Sequence, residues 1–116
     1  NRFTNDFRYE KENLRNLGEA QQLALYRIVQ EQVNNIIKHA EAHNVQIELT
    51  GKNGYVSLLI TDDGKGFDPN ARSKGVGLSN ILSRIKVFKG NLEVITSQGT
   101  GCTLKLKMPR QMPGAD

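Results

Sequence analysis

The sequence predicts a two-layer α/β (α+β) sandwich, with helices laid against a sheet. Three observations point there. Residues 19–42 and 75–90 carry apolar side chains at helical period, while 45–49, 56–62 and 102–108 alternate at the period of a half-buried strand. Asn53-Gly54 and Gly99-Thr100-Gly101 are turn signals that join such strands into hairpins. Hairpin-linked strands mixed with two helices favour packed layers over a βαβ-wound sheet.

In chain order, Arg2 to Tyr9 alternates loosely, with Phe3, Phe7 and Tyr9 as inward or cross-strand residues, and reads as a strand. A polar passage through Asn16, Leu17 and Gly18 precedes a helix from Glu19 to Ala42. Its Leu25, Ile28, Val29, Val33, Ile36, Ile37 and Ala40 fall in one stripe. Asn44 is the expected helix end. Val45, Ile47 and Leu49 alternate with Gln46 and Glu48, and the Asn-Gly turn returns the chain through Val56–Ile60. A loop, Asp68 to Lys74, then leads to Gly75-Val76-Gly77-Leu78 and a second helix. There Leu78, Ile81, Leu82, Ile85 and Phe88 repeat at helical spacing, and Gly90 is the expected stop. Leu92–Ser97 and Cys102–Met108 form the last hairpin, and residues after Pro109 read as a frayed end.

The 116 residues suffice for one domain, 1–116, with a core that needs no disulfide. A composition of 24% charged and 37% hydrophobic residues is that of a globular chain. Cys102 has no partner for an internal bridge, so nothing points to an oxidising compartment. No apolar run approaches the ~20 residues that span a bilayer. A chain beginning with Asn1 reads as a fragment of something longer. The net charge of +4 suits an anionic partner: nucleotide, nucleic acid or membrane surface. The basic residues are scattered among only three tyrosines and four phenylalanines, which speaks against nucleic acid.

The most informative stretch is Thr61-Asp62-Asp63-Gly64-Lys65-Gly66-Phe67. Strand alternation puts Val56, Leu58, Ile60 and Asp62 on one side, so Asp62 is a carboxylate aimed inward. An interior carboxylate needs a hydrogen-bonding partner. Gly64 and Gly66 remove side-chain bulk where a flat ligand could approach the backbone. Asp63 falls on the other side and is expected to be a solvated turn carboxylate.

On the first helix, Glu31, Asn35 and Lys38 lie within about 60° of one another, beside the apolar stripe. An amide oxygen suits Mg²⁺, an ammonium suits phosphate, and a carboxylate can orient an attacking group. The same spacing also describes an ordinary amphipathic helix with a solvated charged margin, and both readings stand at this point. Gly75-Val76-Gly77 opens a helix whose first amides are unpaired, which is a site for an anion or merely a turn. No dinucleotide fingerprint, phosphate-binding loop or protein-kinase signature is present.

Together these segments resemble the ATP-binding catalytic domain of two-component sensor histidine kinases, within the gyrase, chaperone, histidine-kinase and MutL superfamily. The resemblance covers nearly the whole chain and keeps the family order of an asparagine box followed by glycine boxes. It rests on "LYRIVQEQVNNIIKHA", "DDGKGFDP", "GVGLSNILSRI" and "GTGCTLKLKMP" in succession. The first phrase resembles the subfamily associated with NarL-type response regulators.

The resemblance implies a mixed sheet of about five strands with helices on one face, the Bergerat ATP-binding fold, and ATP with Mg²⁺ as ligands. Asp62 would accept the adenine amino group, with Gly64 and Gly66 beside the base. Asn35 would ligate Mg²⁺, Glu31 would be the catalytic polar or basic group near the γ-phosphate, and Lys38 would contact phosphate. Gly75, Gly77 and Leu78 would offer backbone amides to the triphosphate, and residues 68–74, with Arg72 and Lys74, would form a short lid. The implied partners are a dimerisation domain carrying the phosphoacceptor histidine, in a homodimeric parent, and a downstream response regulator. Neither nucleic acid nor direct membrane contact is implied, and the implied location is cytoplasmic.

Two departures matter. The family places a threonine beside the adenine where this chain has Cys102. Alternation turns Cys102 inward with Leu104, Leu106 and Met108, and Thr103 outward. A lost neutral hydrogen bond costs ~0.5–1.5 kcal/mol, so binding should be weakened rather than abolished. The chain also has no room for a dimerisation domain. His39, inside the nucleotide-side helix, reads as a pocket-edge or packing residue and not as a phosphoacceptor; His43 near the helix end favours the helix dipole. The alternatives are an anti-sigma-type serine kinase of the same superfamily and a non-catalytic ATP-binding switch.

Overall fold

In the computed structural model, which describes residues 4–9, 17–66, 75–96, 99 and 101–110, the chain runs β1 (Thr4–Tyr9), α1 (Glu19–Asn35), a π turn (Ile36–Ala40), β2 (Asn44–Lys52), β3 (Tyr55–Asp62), α2 (Gly75–Val87), β4 (Asn91–Thr96) and β5 (Cys102–Pro109). The five strands form one mixed sheet in the order β1-β2-β3-β5-β4. Four of them are antiparallel neighbours, and β1 pairs parallel to β2 across α1. The α1 connection joins β1 to the expected β2–β3 hairpin, and α2 carries the chain from that hairpin to the expected β4–β5 hairpin.

Alternation decides which face is covered. In β3, Val56, Leu58, Ile60 and Asp62 are buried, and in β5 Cys102, Leu104, Leu106 and Met108 are buried. The apolar members of these rows pack with Leu25, Ile28 and Ile36 of the first helical segment and with Ile81 and Ile85 of α2 in one cluster. Each such side chain contributes ~1.5–3 kcal/mol by leaving water. The opposite face carries Glu48, Lys105 and Glu93 on one rung, so like charges are kept apart by Leu59 and Lys105. The β2–β3 turn is the expected Asn-Gly pair, with φ of 55° at Asn53 and 81° at Gly54.

Five local expectations need correction. The helix expected over 19–42 stays α only to Asn35, then widens into the π turn and stops at Glu41, which takes the left-handed conformation (φ 53°). Asn44 opens β2 instead of ending the helix. Ile37 is exposed, because the buried stripe is centred on Gln21, Ala24, Leu25, Ile28 and Gln32 and the π turn rotates the positions beyond it. At the end of α2 the left-handed residue is Lys89 (φ 60°), and Gly90 N–H returns to Ile85 O at 3.0 Å. Gly90 serves close approach: a Cβ there would stand 2.9 Å from Lys107 O and from Met108 Cβ. Leu82, expected in the stripe, is also exposed.

Arg2, Phe3, Asn16, Phe67, the lid residues 68–74, Ser97, Gln98, Thr100 and the end after Arg110 lie outside the described residues. So do the side chains of Phe7, Tyr9, His39 and Ala40.

Candidate nucleotide site

The covered face is apolar for three rungs and polar on its last. Gly51, Val56 and Met108 are followed by Leu49, Leu58, Leu106 and Leu92, and then by Ile47, Ile60, Leu104 and Val94. The final rung is Val45, Asp62, Cys102 and Thr96. Polarity concentrated at one end of a buried face marks that end as something other than core.

Both helices aim at this end. Gln21, in the first turns of α1, donates from Nε2 to Pro109 O at 2.8 Å, so α1 starts at the far end of β5 and runs toward the polar rung. The end of α2 lies against Lys107 and Met108, again at the far end. Its 13 residues span about 20 Å, enough to reach back along β5 from Met108 to the level of the polar rung. The segment that follows α1 reaches the Asp62 end of β3 through the hydrogen bonds of His43 and Asn44 to Asp63, while α2 closes at the far end against Met108.

Asp62 is 5% exposed, and its Oδ1 accepts the Gly64 N–H at 2.8 Å. Burial pushes its carboxyl above the ordinary value of 3.8; the Gly64 hydrogen bond opposes this, and the Asp63 charge adds to it. A carboxylate has about four acceptor sites, so the Gly64 contact leaves capacity for an exocyclic amino group. Gly64 is itself buried, and Gly66 takes φ 64°, open to glycine without strain. The loop is tied across the sheet by a hydrogen bond from Gly99 N–H to Lys65 O.

Cys102, directly opposite Asp62, is buried, and burial together with the neighbouring carboxylate raises its thiol to about 11. It is therefore a neutral thiol at physiological pH. Thr96 hydrogen-bonds this thiol and donates from Oγ1 to Gly101 O at 2.9 Å. Gly101 has φ +84°, and a Cβ there would collide with the Asp62 carbonyl oxygen.

On α1, Glu31 and Asn35 are half-buried at the edge of the core, as the helical spacing predicts. Asn35 Nδ2 makes a long contact, 3.4 Å, with Gln32 Oε1, which leaves the amide oxygen available to an oxygen-seeking cation. Lys38 lies in the π turn and is exposed, so an α-helical projection does not fix its direction. Gly75, Gly77 and Leu78 occupy the first turn of α2, where backbone amides lack helical partners. Among the described residues no cluster of three or more His, Cys, Asp or Glu side chains is placed to hold a metal. A cation here would depend on Asn35 and on the oxygens of a bound anion.

Sequence reasoning misjudged Asp63. It is exposed as expected, yet Oδ1 accepts the N–H groups of His43 and Asn44, both at 2.8 Å, and Oδ2 accepts Asn44 Nδ2 at 2.7 Å. These bonds, with the Asn44 N–H first, hold its carboxyl down at about 2. Only the pairing partner across the strands could have revealed this. Thr96 was also missed; counting back through the last hairpin from Cys102 would have found it. His43, near the helix end, also donates its backbone N–H to Asp63.

The family model described as histidine kinase-, DNA gyrase B- and HSP90-like ATPase matches residues 20–112. The chain belongs to this ATPase family. It is 34% identical over 90 residues to the signal transduction histidine-protein kinase/phosphatase UhpB of Salmonella typhimurium, covering 78% of this chain and 18% of that protein. It is 41% identical over 83 residues to the sensor histidine kinase ComP of Bacillus subtilis, covering 69% and 11%. In structure it is similar to the catalytic domain of the histidine kinase ThkA, with a TM-score of 0.73 at 19% identity over 95% of this chain and 81% of that one. That likeness supports the fold alone. The chain spans less than a fifth of the length of the UhpB and ComP relatives, so it corresponds to the ATPase module of sensor kinases. No helix among the described residues is long and apolar enough to cross a membrane.

Proposed function

We propose that this ATPase module binds Mg²⁺-ATP at the polar end of its covered face and transfers the γ-phosphoryl to a histidine on a dimerisation domain elsewhere in its parent protein. The observation that carries the reading is the buried Asp62 carboxylate on the polar rung, at the end of the sheet where the first helical segment gives way to β2. Asp62 accepts the adenine amino group while the Gly64 N–H keeps the carboxylate oriented. Gly66 lets the base lie against the backbone. The amides of Gly75, Gly77 and Leu78 meet the phosphates, and Lys38 adds charge from the exposed π turn.

Asn35 is the protein ligand that would hold Mg²⁺, consistent with a cation that takes few protein ligands and relies on phosphate oxygens. The metal, when bound, supplies charge neutralisation on the phosphates. Glu31, half-buried one helical turn before Asn35, orients the attacking imidazole or accepts its proton. The protein's share of catalysis is positioning and electrostatics rather than covalent chemistry.

The proposed partners are the dimerisation domain of a homodimeric parent and, downstream, a response regulator. The proposed location is cytoplasmic, where ATP is available. Incubating the chain with a matching dimerisation domain and γ-labelled ATP should yield phosphohistidine. Glu31→Gln should spare ATP binding and slow the transfer. Nucleotide binding with no phosphohistidine would leave a switch module as the function.

A further inference from the structure

We propose that Asp63 is a positioning residue that locks the base-side loop of the nucleotide site to the end of the helix presenting its phosphate-side groups, an inference that rests on the nucleotide reading above. Asp63 directly follows Asp62, and four hydrogen bonds tie it to the start of β2. Its Oδ1 accepts His43 N–H and Asn44 N–H, both at 2.8 Å, and its Oδ2 accepts Asn44 Nδ2 at 2.7 Å. Its own N–H donates to Asn44 O at 3.2 Å. An exposed carboxylate ordinarily satisfies itself with water; this one is spent on a junction.

The junction is short and stiff. Three residues separate the π turn at Ala40 from β2 at Asn44, and the first, Glu41, is held in the left-handed conformation. Wherever His43 and Asn44 sit, the π turn follows, and with it Lys38 inside the turn and Asn35 immediately before it. On its other side Asp63 adjoins Gly64, whose N–H holds the Asp62 carboxylate. One side chain thus relates the group that meets the base to the groups that meet the phosphates. A ligand long enough to touch both halves gains from that preorganisation, and a ligand that touches one half does not.

This separates the proposal from a merely structural clamp. A clamp that only finishes the sheet changes stability while leaving ligand preference alone. Affinities for Mg²⁺-ATP and for adenosine are to be measured on this chain and its variants, well below each unfolding midpoint. Asp63→Ala should weaken Mg²⁺-ATP about tenfold, given the loss of several charge-assisted hydrogen bonds, and adenosine by less than about twofold. In Asp63→Asn the side-chain oxygen still accepts the two backbone N–H groups, but with Asn44 turned to present its Oδ1 only a neutral amide pair is left. Adding Asn44→Asp exchanges amide and carboxylate, and should restore Mg²⁺-ATP affinity to within about threefold of wild type by re-forming the charge-assisted pair. Should Asp63→Ala fail to fold, the exchange pair carries the test. Equal losses for both ligands, an unchanged Mg²⁺-ATP affinity in Asp63→Ala, or no rescue by the exchange would overturn the link. Failure of the wild-type chain to bind Mg²⁺-ATP would instead sink the nucleotide reading, and the link with it.

Discussion

Asp62 and Cys102 face each other across β3 and β5 on the covered face of the sheet. The carboxylate charge adds to burial in raising the thiol to about 11. The thiol in turn offers the carboxylate only a weak donor. That places on the polar rung an acceptor whose strongest described donor is the Gly64 N–H.

Asp62→Asn is therefore expected to weaken ATP binding tenfold to a hundredfold, because a charge-assisted hydrogen bond is worth ~1.5–3 kcal/mol. The Asn side-chain oxygen still accepts from Gly64, so the fold should persist and the thermal midpoint should not fall. Titration calorimetry beside thermal unfolding checks both parts. Unchanged affinity would remove Asp62 from the site.

Mild acid should move the Asp62 contribution to stability and ATP binding in opposite directions. Burial raises the Asp62 carboxyl above 3.8, so in the window between that value and its folded value the native state takes up a proton that the unfolded chain does not. The Asp62 contribution to stability is thus fully present below 3.8 and lost as pH rises through the folded value. ATP affinity should fall over the same window as the acceptor is neutralised. Asp63, held at about 2, behaves oppositely: its contribution is present above the ordinary carboxylate value and lost as pH falls toward 2. Denaturant titrations and nucleotide affinities across this range, with Asp62→Asn as the control lacking the first effect, measure the signs.

Gly101→Ala should cost more than Gly99→Ala, although both glycines have similar positive φ, +84° and +86°. Either substitution carries the left-handed strain of ~1–2 kcal/mol. A Cβ at 99 meets nothing within 4 Å, whereas one at 101 collides with the Asp62 carbonyl and must displace the strand end that presents the carboxylate. Gly101→Ala should therefore lower both stability and ATP affinity, and Gly99→Ala stability alone. Equal effects from the two would detach Gly101 from the site.

Cys102→Thr restores the hydroxyl that the family resemblance implies beside the adenine. The gain should be ~0.5–1.5 kcal/mol, up to about tenfold in ATP affinity. No gain would mean that the rung already meets this requirement, with Thr96 across the β4–β5 pair as the hydroxyl to remove next.

Much of this was legible without coordinates because strand and helix periods are local. Alternation alone chose Asp62 over Asp63 as the buried carboxylate and turned Cys102 inward, and the burial of β3 and β5 agrees residue by residue. Asn53-Gly54 announced its turn through the positive φ values it adopts. Helical spacing also placed Glu31 and Asn35 at the edge of the core. It failed beyond Asn35, since a π turn is chosen by how the helix end must meet β2 and leaves no periodic trace of its own.

Residue order, composition and period by themselves determined the layered fold, the buried face of each antiparallel strand and the residue types available for a nucleotide. Only the tertiary structure decided what those residues do to one another. The parallel docking of β1 on β2, the rung that sets Asp62 opposite Cys102 and beside Thr96, and the grip of Asp63 on His43 and Asn44 are all pairings between distant segments. Side-chain direction repeats every two or 3.6 residues and can be read from neighbours in the chain. Register and hydrogen-bond partners depend on which segments meet, and packing of the whole sheet settles that.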